Sequence, residues 1–260
     1  MDDISFFGLG GLFLLALIAG TIDAMVGGGG LLTVPGLMAS GLSPVAALAT
    51  NKFQGIFSTL SATIHFWRMG KLRLRDHWIP ALTAFAGSIV GALSVSFLDQ
   101  GVLRILIPFL LIGIALWILC SPKLGEVPRA ARLSFAVSNF TLIPLIGFYN
   151  GFFGPGTGTF FAMGLVSFLG LRLDEATMRA KIYNFMSSVG ACLFFLFGGQ
   201  IAWLQGAVMA IGMVIGGNIG ARMVLRHGAG LLKPLLVVVS LSMSLKLLWQ
   251  EGLLQKVFGF

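Results

Sequence analysis

Two lysines, Lys52 and Lys181, interrupt long apolar segments of this sequence. Lys52 lies nine residues past the predicted N-cap of its helix, Ser43. At about 1.5 Å per residue it is about 13 Å deep, close to the middle of a hydrocarbon layer about 30 Å thick. Lys181 lies at a matching depth in a second helix that enters from the opposite face. A charge at that depth is costly, so each lysine is a candidate for a functional site. Snorkelling to the interface and a structural salt bridge are the alternatives.

An acidic residue and its uncharged counterpart precede two glycine-rich breaks in the apolar segments. Asp23 stands four residues before a glycine run at 27–30. The corresponding residue before the second break, at 154–158, is Asn150, so the two halves differ in charge there. The sequence leaves two interpretations of Asp23 open. It is either a structural partner for Lys52 or a carboxylate that takes part in proton coupling.

Both glycine-rich breaks let the backbone approach a ligand and expose amide N–H groups. Amides at helix N-termini favour anions, although close helix packing is the common role of glycine in membranes. Two lysines, these amides and one carboxylate leave a net positive charge, which favours a small anion over a cation. The predicted substrate-binding residues are Lys52, Lys181, Gly28, Gly29, Gly30, Gly156, Thr157, Gly158, Asn51 and Asn184. Asp23 and Asn150 are the predicted coupling residues or charge partners.

The composition predicts an all-α polytopic membrane protein. Hydrophobic residues make up 57% of the 260 residues and charged residues 10%, whereas soluble domains carry about 25% charged residues. The net charge of +8 comes mainly from short loops, which indicates a role in topology and argues against nucleic-acid binding. The predicted partners are a small anionic substrate and the lipid bilayer, and an oligomer is compatible with the sequence.

Catalytic and metal-binding groups are not predicted. Cys120 and Cys192 lie in apolar runs without a CxxC pattern, so we expect small buried hydrophobic side chains. The histidines His65, His77 and His227 are scattered near the ends of spans, whereas a membrane enzyme needs a cluster of ionisable groups. We therefore expect no enzymatic activity, no cofactor and no metal.

The order of elements repeats along the chain, which predicts two membrane repeats. Lys52 and Lys181 are 129 residues apart, and several glycines recur at the same shift. The predicted repeats are residues 1–122 and 133–260, joined by a cytoplasmic linker at 123–132. The sequence predicts eight long helices and two short ones. The long helices are expected at about 6–26, 44–67, 78–98, 102–120, 133–153, 175–197, 201–224 and 230–249, and the short ones at 31–40 and 159–169.

Local signals refine these helices. Ser43, followed by a proline, and Asp174 are the predicted N-caps of the two lysine-bearing helices. Two GxxxG pairs, at 87–91 and 216–220, are predicted to serve helix packing only.

Loop charges indicate how the repeats are oriented. If each glycine-rich break is the tip of a helical hairpin, each repeat has a hairpin plus three spans, and the repeats are inverted. Eleven lysines and arginines then face the cytoplasm and two face outside. If instead all eight long helices simply cross the membrane, eight basic residues lie on one side and five on the other. The positive-inside rule favours the hairpins. The short helices cannot span a bilayer and are expected to line protein or a water-filled cavity. We expect a bacterial inner-membrane protein with both termini outside.

Several motifs carry a resemblance to a known family. In the first half they are AGTIDA at 19–24, GGGGLLTVP at 27–35 and ATNK at 49–52, and in the second half GFYNGFFGP at 147–155 and Ala180-Lys181 with Asn184. Over nearly the whole chain the sequence resembles the TauE/SafE-type transporters, the sulfite and organosulfonate exporters, and above all their bacterial branch of probable membrane transporters. The resemblance implies a sulfur-containing anion such as sulfite, sulfoacetate or a related sulfonate. In that branch the position of Asn150 is commonly Asp, so the Asn here argues against coupling through two carboxylates.

We therefore predict a secondary transporter or exporter of a small, sulfur-containing anion, bound near the midplane between inverted repeats. The alternatives are an anion channel and a structural membrane subunit on the same scaffold. Saturable, proton-dependent flux would distinguish a transporter from a channel. A purely structural subunit gives little reason for Lys52, Lys181 and Asp23 to lie at depth.

Overall fold

The computed structural model describes residues 6–120, 130–227 and 233–250. Every regular element within these ranges is a helix, as the composition predicts. The helices are α1 (Phe6–Val26), α2 (Gly30–Ala39), α3 (Pro44–Arg68), α4 (Trp78–Ser96), α5 (Gln100–Cys120), α6 (Phe135–Phe140), α7 (Leu142–Phe152), α8 (Thr157–Leu169), α9 (Leu173–Phe197), α10 (Trp203–His227) and α11 (Lys233–Gln250). A 3-10 turn, Leu74–His77, precedes α4. Both chain ends and most of the predicted linker at 123–132 lie outside the described residues.

Six segments in the described part of the chain are long and apolar enough to cross a membrane. They are Gly8–Met25, Leu74–Ser96, Gln100–Ile118, Phe135–Phe152, Leu173–Phe197 and Trp203–Met223. The prediction of an all-helical, multi-pass membrane protein is confirmed. Of the eight predicted long helices, α3 and α11 are not among these six. α3 has 25 residues, which is long enough to span, but it carries a series of buried polar side chains such as Lys52 and Gln54.

The short helix α2 folds back along α1. Gly29, just before α2, lies against the carbonyl oxygen of Ala19 and the side chain of Asp23. Gly36, near the end of α2, lies against Leu15. As α2 proceeds, its contacts move back along α1, so the two helices are antiparallel.

The short helix α8 makes the same turn in the second half. Gly164, in the middle of α8, packs against Leu142 at the start of α7. The end of α8 reaches the beginning of α6, where the backbone N–H groups of Arg132 and Leu133 donate to the carbonyl oxygen of Phe168 at 2.8 and 2.9 Å. Each short helix therefore runs antiparallel to the long segment before it.

The two halves exchange their long helices as packing partners. α1 packs along α10, and α4 packs along α7. Both contacts depend on glycines, because a Cβ there would overlap the backbone of the facing helix. In the first contact, Gly216 and Gly220 lie against Leu17 and Thr21. In the second, Gly87 and Gly91 lie against Pro144 and Phe148. The packing role predicted for the two GxxxG pairs is confirmed.

The single helix predicted at 133–153 is wrong, because it is broken at Thr141. This residue has φ −123° and ψ −73° and separates α6 from α7. Pro144 lies three residues further on. In a continuous helix it has no N–H to donate to the carbonyl of Phe140, and its ring would clash with that carbonyl. The proline therefore ends α6 one turn before its own position.

The predicted start of the second lysine-bearing helix also needs a correction. The backbone of Arg172, with φ −66° and ψ 150°, occupies the N-cap position of α9. Asp174, predicted as the cap, lies inside the first turn and its carboxylate accepts from Nε of Arg172 at 3.3 Å. An acidic side chain in a first turn is favourable without being the cap.

Two other helix starts can be compared with prediction. Ser43 caps α3 as predicted, its hydroxyl oxygen accepting from the backbone N–H of Ala46 at 3.3 Å. α8 begins at Thr157, two residues earlier than predicted. Gly156 ends the preceding turn with φ 81°, and the helix can start at once behind it.

Candidate functional site

The two hairpin tips touch each other. Gly27, in the left-handed conformation with φ 87°, packs directly on the backbone of Gly158, so that a Cβ at Gly27 would overlap it. On the other side of the tip, a Cβ at Gly30 would come 3.0 Å from Cα of Pro155. Only glycine allows this approach, because both neighbours are backbone atoms that no side-chain rotation can move.

α3 carries Lys52 from the first half into the second hairpin. The ammonium donates to Oδ1 of Asn150 at 2.8 Å and to the carbonyl oxygen of Phe153 at 3.4 Å. It lies in the space that a Cβ at Gly154 would fill. Lys52 is 2% exposed. Both acceptors are uncharged groups.

Asn150 organises a polar cluster around this ammonium. Its Nδ2 donates to Oγ of Ser187 at 2.6 Å and to Oγ of Ser188 at 3.2 Å, both on α9. Its Oδ1 accepts from the hydroxyl of Thr157, at the start of α8, at 3.1 Å. One buried amide thus joins α7, α8 and α9 and also holds Lys52.

α9 carries Lys181 in the opposite sense, into the first hairpin. Its ammonium donates to the backbone carbonyl oxygen of Asp23 and lies within electrostatic reach of the Asp23 carboxylate. That carboxylate accepts from the hydroxyl of Ser58 at 3.1 Å and from the backbone N–H of Gly29 at 3.3 Å. Lys181 is 1% exposed and Asp23 8%. Lys181 therefore reaches the backbone of Asp23 and lies near its carboxylate, whereas Lys52 contacts Asn150.

Two further asparagines hold the tips. Oδ1 of Asn51 accepts from the hydroxyl of Thr33 on α2 at 2.7 Å. Oδ1 of Asn184 faces Nδ2 of Asn150 at 3.5 Å. Each lysine-bearing helix therefore also fixes the short helix or the broken helix of its own half.

A cavity of about 30 Å³ lies between the tips. This is close to the space of one water molecule. Seven of the predicted site residues line it: Asp23, Gly30, Asn51, Lys52, Asn150, Gly156 and Asn184. Five others are not among the lining residues: Gly28, Gly29, Thr157, Gly158 and Lys181. The structure thus gathers most of the predicted set around one small space, with Lys52 beside it and Lys181 behind Asp23.

Comparison with known proteins decides the family. The sequence matches the family described as sulfite exporter TauE/SafE over residues 12–247. The chain belongs to the TauE/SafE family. It is 44% identical to a probable membrane transporter protein of Escherichia coli strain K12, over 94% of this chain and 90% of that protein. Probable membrane transporter proteins of a Sinorhizobium species and of Haemophilus influenzae are 43% and 41% identical, over 95% and 93% of this chain and 95% and 94% of theirs. The protein is therefore a membrane transporter, and the resemblance found in the motifs is confirmed.

The cavity of this TauE/SafE transporter also includes residues that sequence reasoning missed. Gly55 and Thr59 line it together with Lys52. They follow Lys52 by about one and two turns on the same face of α3, so helical spacing could have indicated them. Met213 also lines the cavity, but it comes from α10, and no local signal in the sequence points to it.

The cavity is lined by groups of both charge signs, the ammonium of Lys52 and the carboxylate of Asp23. A buried ammonium, side-chain amides and the N-terminus of α8 surround the cavity, and all three favour negative charge. Within residues 6–120, 130–227 and 233–250, no group of three His, Cys, Asp or Glu residues is placed to hold a metal ion.

Proposed function

We propose that this TauE/SafE transporter is a secondary transporter that exports a small, sulfur-containing anion, such as sulfite or a sulfonate, bound between its two halves. The observation that carries the proposal is the buried ammonium of Lys52, which donates to Asn150 and to the carbonyl oxygen of Phe153. A buried charge with uncharged partners is costly, and an anion beside it offsets that cost. The description of the family as sulfite exporters supports the sulfur-containing class.

The proposed arrangement in the membrane is a pair of inverted halves, 1–122 and 133–260, in a bacterial inner membrane with both termini outside. The antiparallel hairpins in each half support it. So do the exposed basic residues at and just after the end of α3, which then face the cytoplasm: Arg68, Lys71, Arg73 and Arg75. With a negative cytoplasm, the membrane potential favours anion exit by about 2.3 kcal/mol per charge per 100 mV. Export therefore needs little further coupling.

Binding in detergent tests this proposal. Sulfite, sulfoacetate, thiosulfate and taurine are titrated against the wild-type protein and the Lys52→Ala variant, with thermal unfolding as the readout. We expect a saturable rise in unfolding temperature for at least one sulfur-containing anion, lost in Lys52→Ala. Chloride at equal ionic strength is the control for screening. A folded wild-type protein whose unfolding temperature responds to none of these anions contradicts the proposal.

An anion channel on the same scaffold is the second candidate. The small cavity supports a carrier, because about 30 Å³ between the tips holds far less than a continuous aqueous pore. Flux into proteoliposomes distinguishes the two. A carrier shows an initial rate that saturates with anion concentration and a turnover set by conformational steps, whereas a channel shows flux that stays proportional to concentration.

A further inference from the structure

The two hairpins are built from matching parts. Gly27 and Gly154 both have positive φ, 87° and 98°, and each lies four residues after a polar residue of its hairpin. We call this polar residue, the lysine that reaches it and the start of the following short helix a half-site. In the first half that residue is Asp23, and in the second it is Asn150. A serine of the lysine-bearing helix contacts each of them, Ser58 in one half and, 129 residues later, Ser187 in the other.

The first half-site is filled by a side chain of the protein itself. The carboxylate of Asp23 accepts from the backbone N–H of Gly29 at the beginning of α2. It therefore supplies the negative charge that the N-terminus of a helix favours. Lys181, which reaches this half-site, lies close to that charge. The cation, the helix N-terminus and the anion are all present.

The second half-site has the same cation and the same helix N-terminus without the anion. Lys52 donates to Asn150, and α8 begins beside it with 13 residues. In the part of the chain that the structure describes, the hydrogen-bond acceptors of Lys52 are an amide oxygen and a carbonyl oxygen. The cavity adjoins this half-site, since Lys52, Asn150, Gly154 and Gly156 line it.

We infer that the anionic group of the substrate occupies the second half-site alone, and that it does there what the Asp23 carboxylate does in the first. This rests on the proposed function and makes it more specific. The substrate then presents one oxyanion group to Lys52 and to the N-terminus of α8. Lys181 does not bind the substrate directly. It stabilises the first half-site, where the Asp23 carboxylate supplies the negative charge.

The neighbours of Asn150 suit an anion. Ser187 and Ser188 accept from its amide nitrogen, and a hydroxyl can turn to donate instead. A carboxylate at position 150 would therefore find donors in both serines, in Thr157 and in Lys52. In this chain an aspartate introduced there becomes a built-in competitor for the substrate, whereas relatives with Asp at this position would have to bind their anion differently.

The Asn150→Asp variant tests the inference. Without any added anion we expect its unfolding temperature to rise by several degrees, because the new carboxylate pairs with Lys52. With saturating sulfite or methanesulfonate we expect less than a tenth of the further rise that the wild type shows. Asn150→Ala removes the same amide without adding charge, so we expect no rise in its unfolding temperature in the absence of anion.

Asn139→Asp is the matched control. Asn139 is 7% exposed and lies on α6, in the same broken segment of the second half, but away from the cavity. We expect this variant to lose stability and to keep the anion-induced rise. The comparison separates an effect of the half-site from the general effect of a new buried carboxylate.

The outcomes separate the inference from the proposed function. An Asn150→Asp protein that is less stable than wild type, or that keeps the full anion-induced rise, overturns the inference even if the wild type binds anions. A wild type that responds to no anion, together with a stabilised Asn150→Asp, overturns the proposed function while the difference in charge between the two half-sites stands. Stabilisation of Asn150→Asp with loss of the anion response supports both.

Discussion

Lys52 and Lys181 have equivalent positions on two similarly placed helices, yet they end in different surroundings. Each ammonium crosses to the hairpin of the other half. Lys181 finds a peptide carbonyl beside the carboxylate of Asp23, whereas Lys52 finds the amide of Asn150 and a second carbonyl. The helices, serines and glycine tips around them are alike. The comparison teaches that one side chain, in two otherwise similar surroundings, can decide which lysine keeps an unneutralised charge.

The largest expected effect comes from the two equivalent tip glycines, Gly27 and Gly154. An alanine at Gly27 collides with the backbone of Gly158, which cannot yield, whereas one at Gly154 collides with the end of the flexible Lys52 side chain. We expect Gly27→Ala to lower the unfolding temperature by about 10 °C. Gly154→Ala should cost less stability but displace Lys52 and weaken anion binding at least tenfold.

Gly41→Ala is the control for this pair. Gly41 also has a positive φ, 95°, but a Cβ there meets no atom within 4 Å. Gly41→Ala should therefore lower the free energy of unfolding only by the cost of a left-handed backbone at alanine, about 1–2 kcal/mol. Equal losses of unfolding temperature in Gly27→Ala and Gly41→Ala would show that the tip contact adds nothing.

The lysines themselves give the next largest effect. Lys181→Met leaves the buried carboxylate of Asp23 without its cation, and we expect a loss of about 3 kcal/mol of unfolding free energy. Lys52→Met removes a buried cation that has uncharged partners, so its stability should change by less than about 1 kcal/mol, while anion binding is lost. Chemical unfolding in mixed micelles measures the first quantity and ligand titration the second. Equal destabilisation by the two substitutions would mean that their surroundings do not differ in energy.

The smallest effects distinguish the starts of the two lysine-bearing helices. Ser43→Ala removes a true N-cap hydrogen bond and should cost about 1 kcal/mol. Asp174→Ala removes an exposed ion pair whose side chains are 60% and 63% exposed, and should cost less than about 0.5 kcal/mol. Thermal unfolding of the two variants side by side is sufficient. A larger loss for Asp174→Ala would reinstate it as the cap of α9.

Local rules were sufficient to place both lysines inside long helices and to locate the hairpin tips. The Ser43-Pro44 start fixes the helical count to Lys52, and a run of glycines is a poor helix interior. The break at Thr141 could have been predicted from Pro144 by the same kind of rule. The long apolar run favoured a continuous helix and concealed it.

The partners of the lysines could not be predicted from local pattern. Which carboxylate or amide a lysine meets depends on how α3 and α9 pack across the two halves, and amphipathic spacing carries no information on that. The same holds for Met213, which reaches the cavity from α10. The functional roles of the site residues stay predictions until anion binding has been measured.

The exchange of long helices between the halves has a consequence for biosynthesis. α1 is complete at Val26, but α10, whose glycines pack against it, begins at Trp203. At about 5–20 residues per second, the ribosome needs about 10–35 s to make the chain between them. During that interval Asp23 is already in the membrane while Lys181 has not been synthesised, and α1 is in place without α10, the helix that packs along it. A nascent chain that stops before α9 and α10 therefore leaves a charged, unfinished helix in the bilayer, and assembly becomes complete only as the last quarter of the protein is delivered.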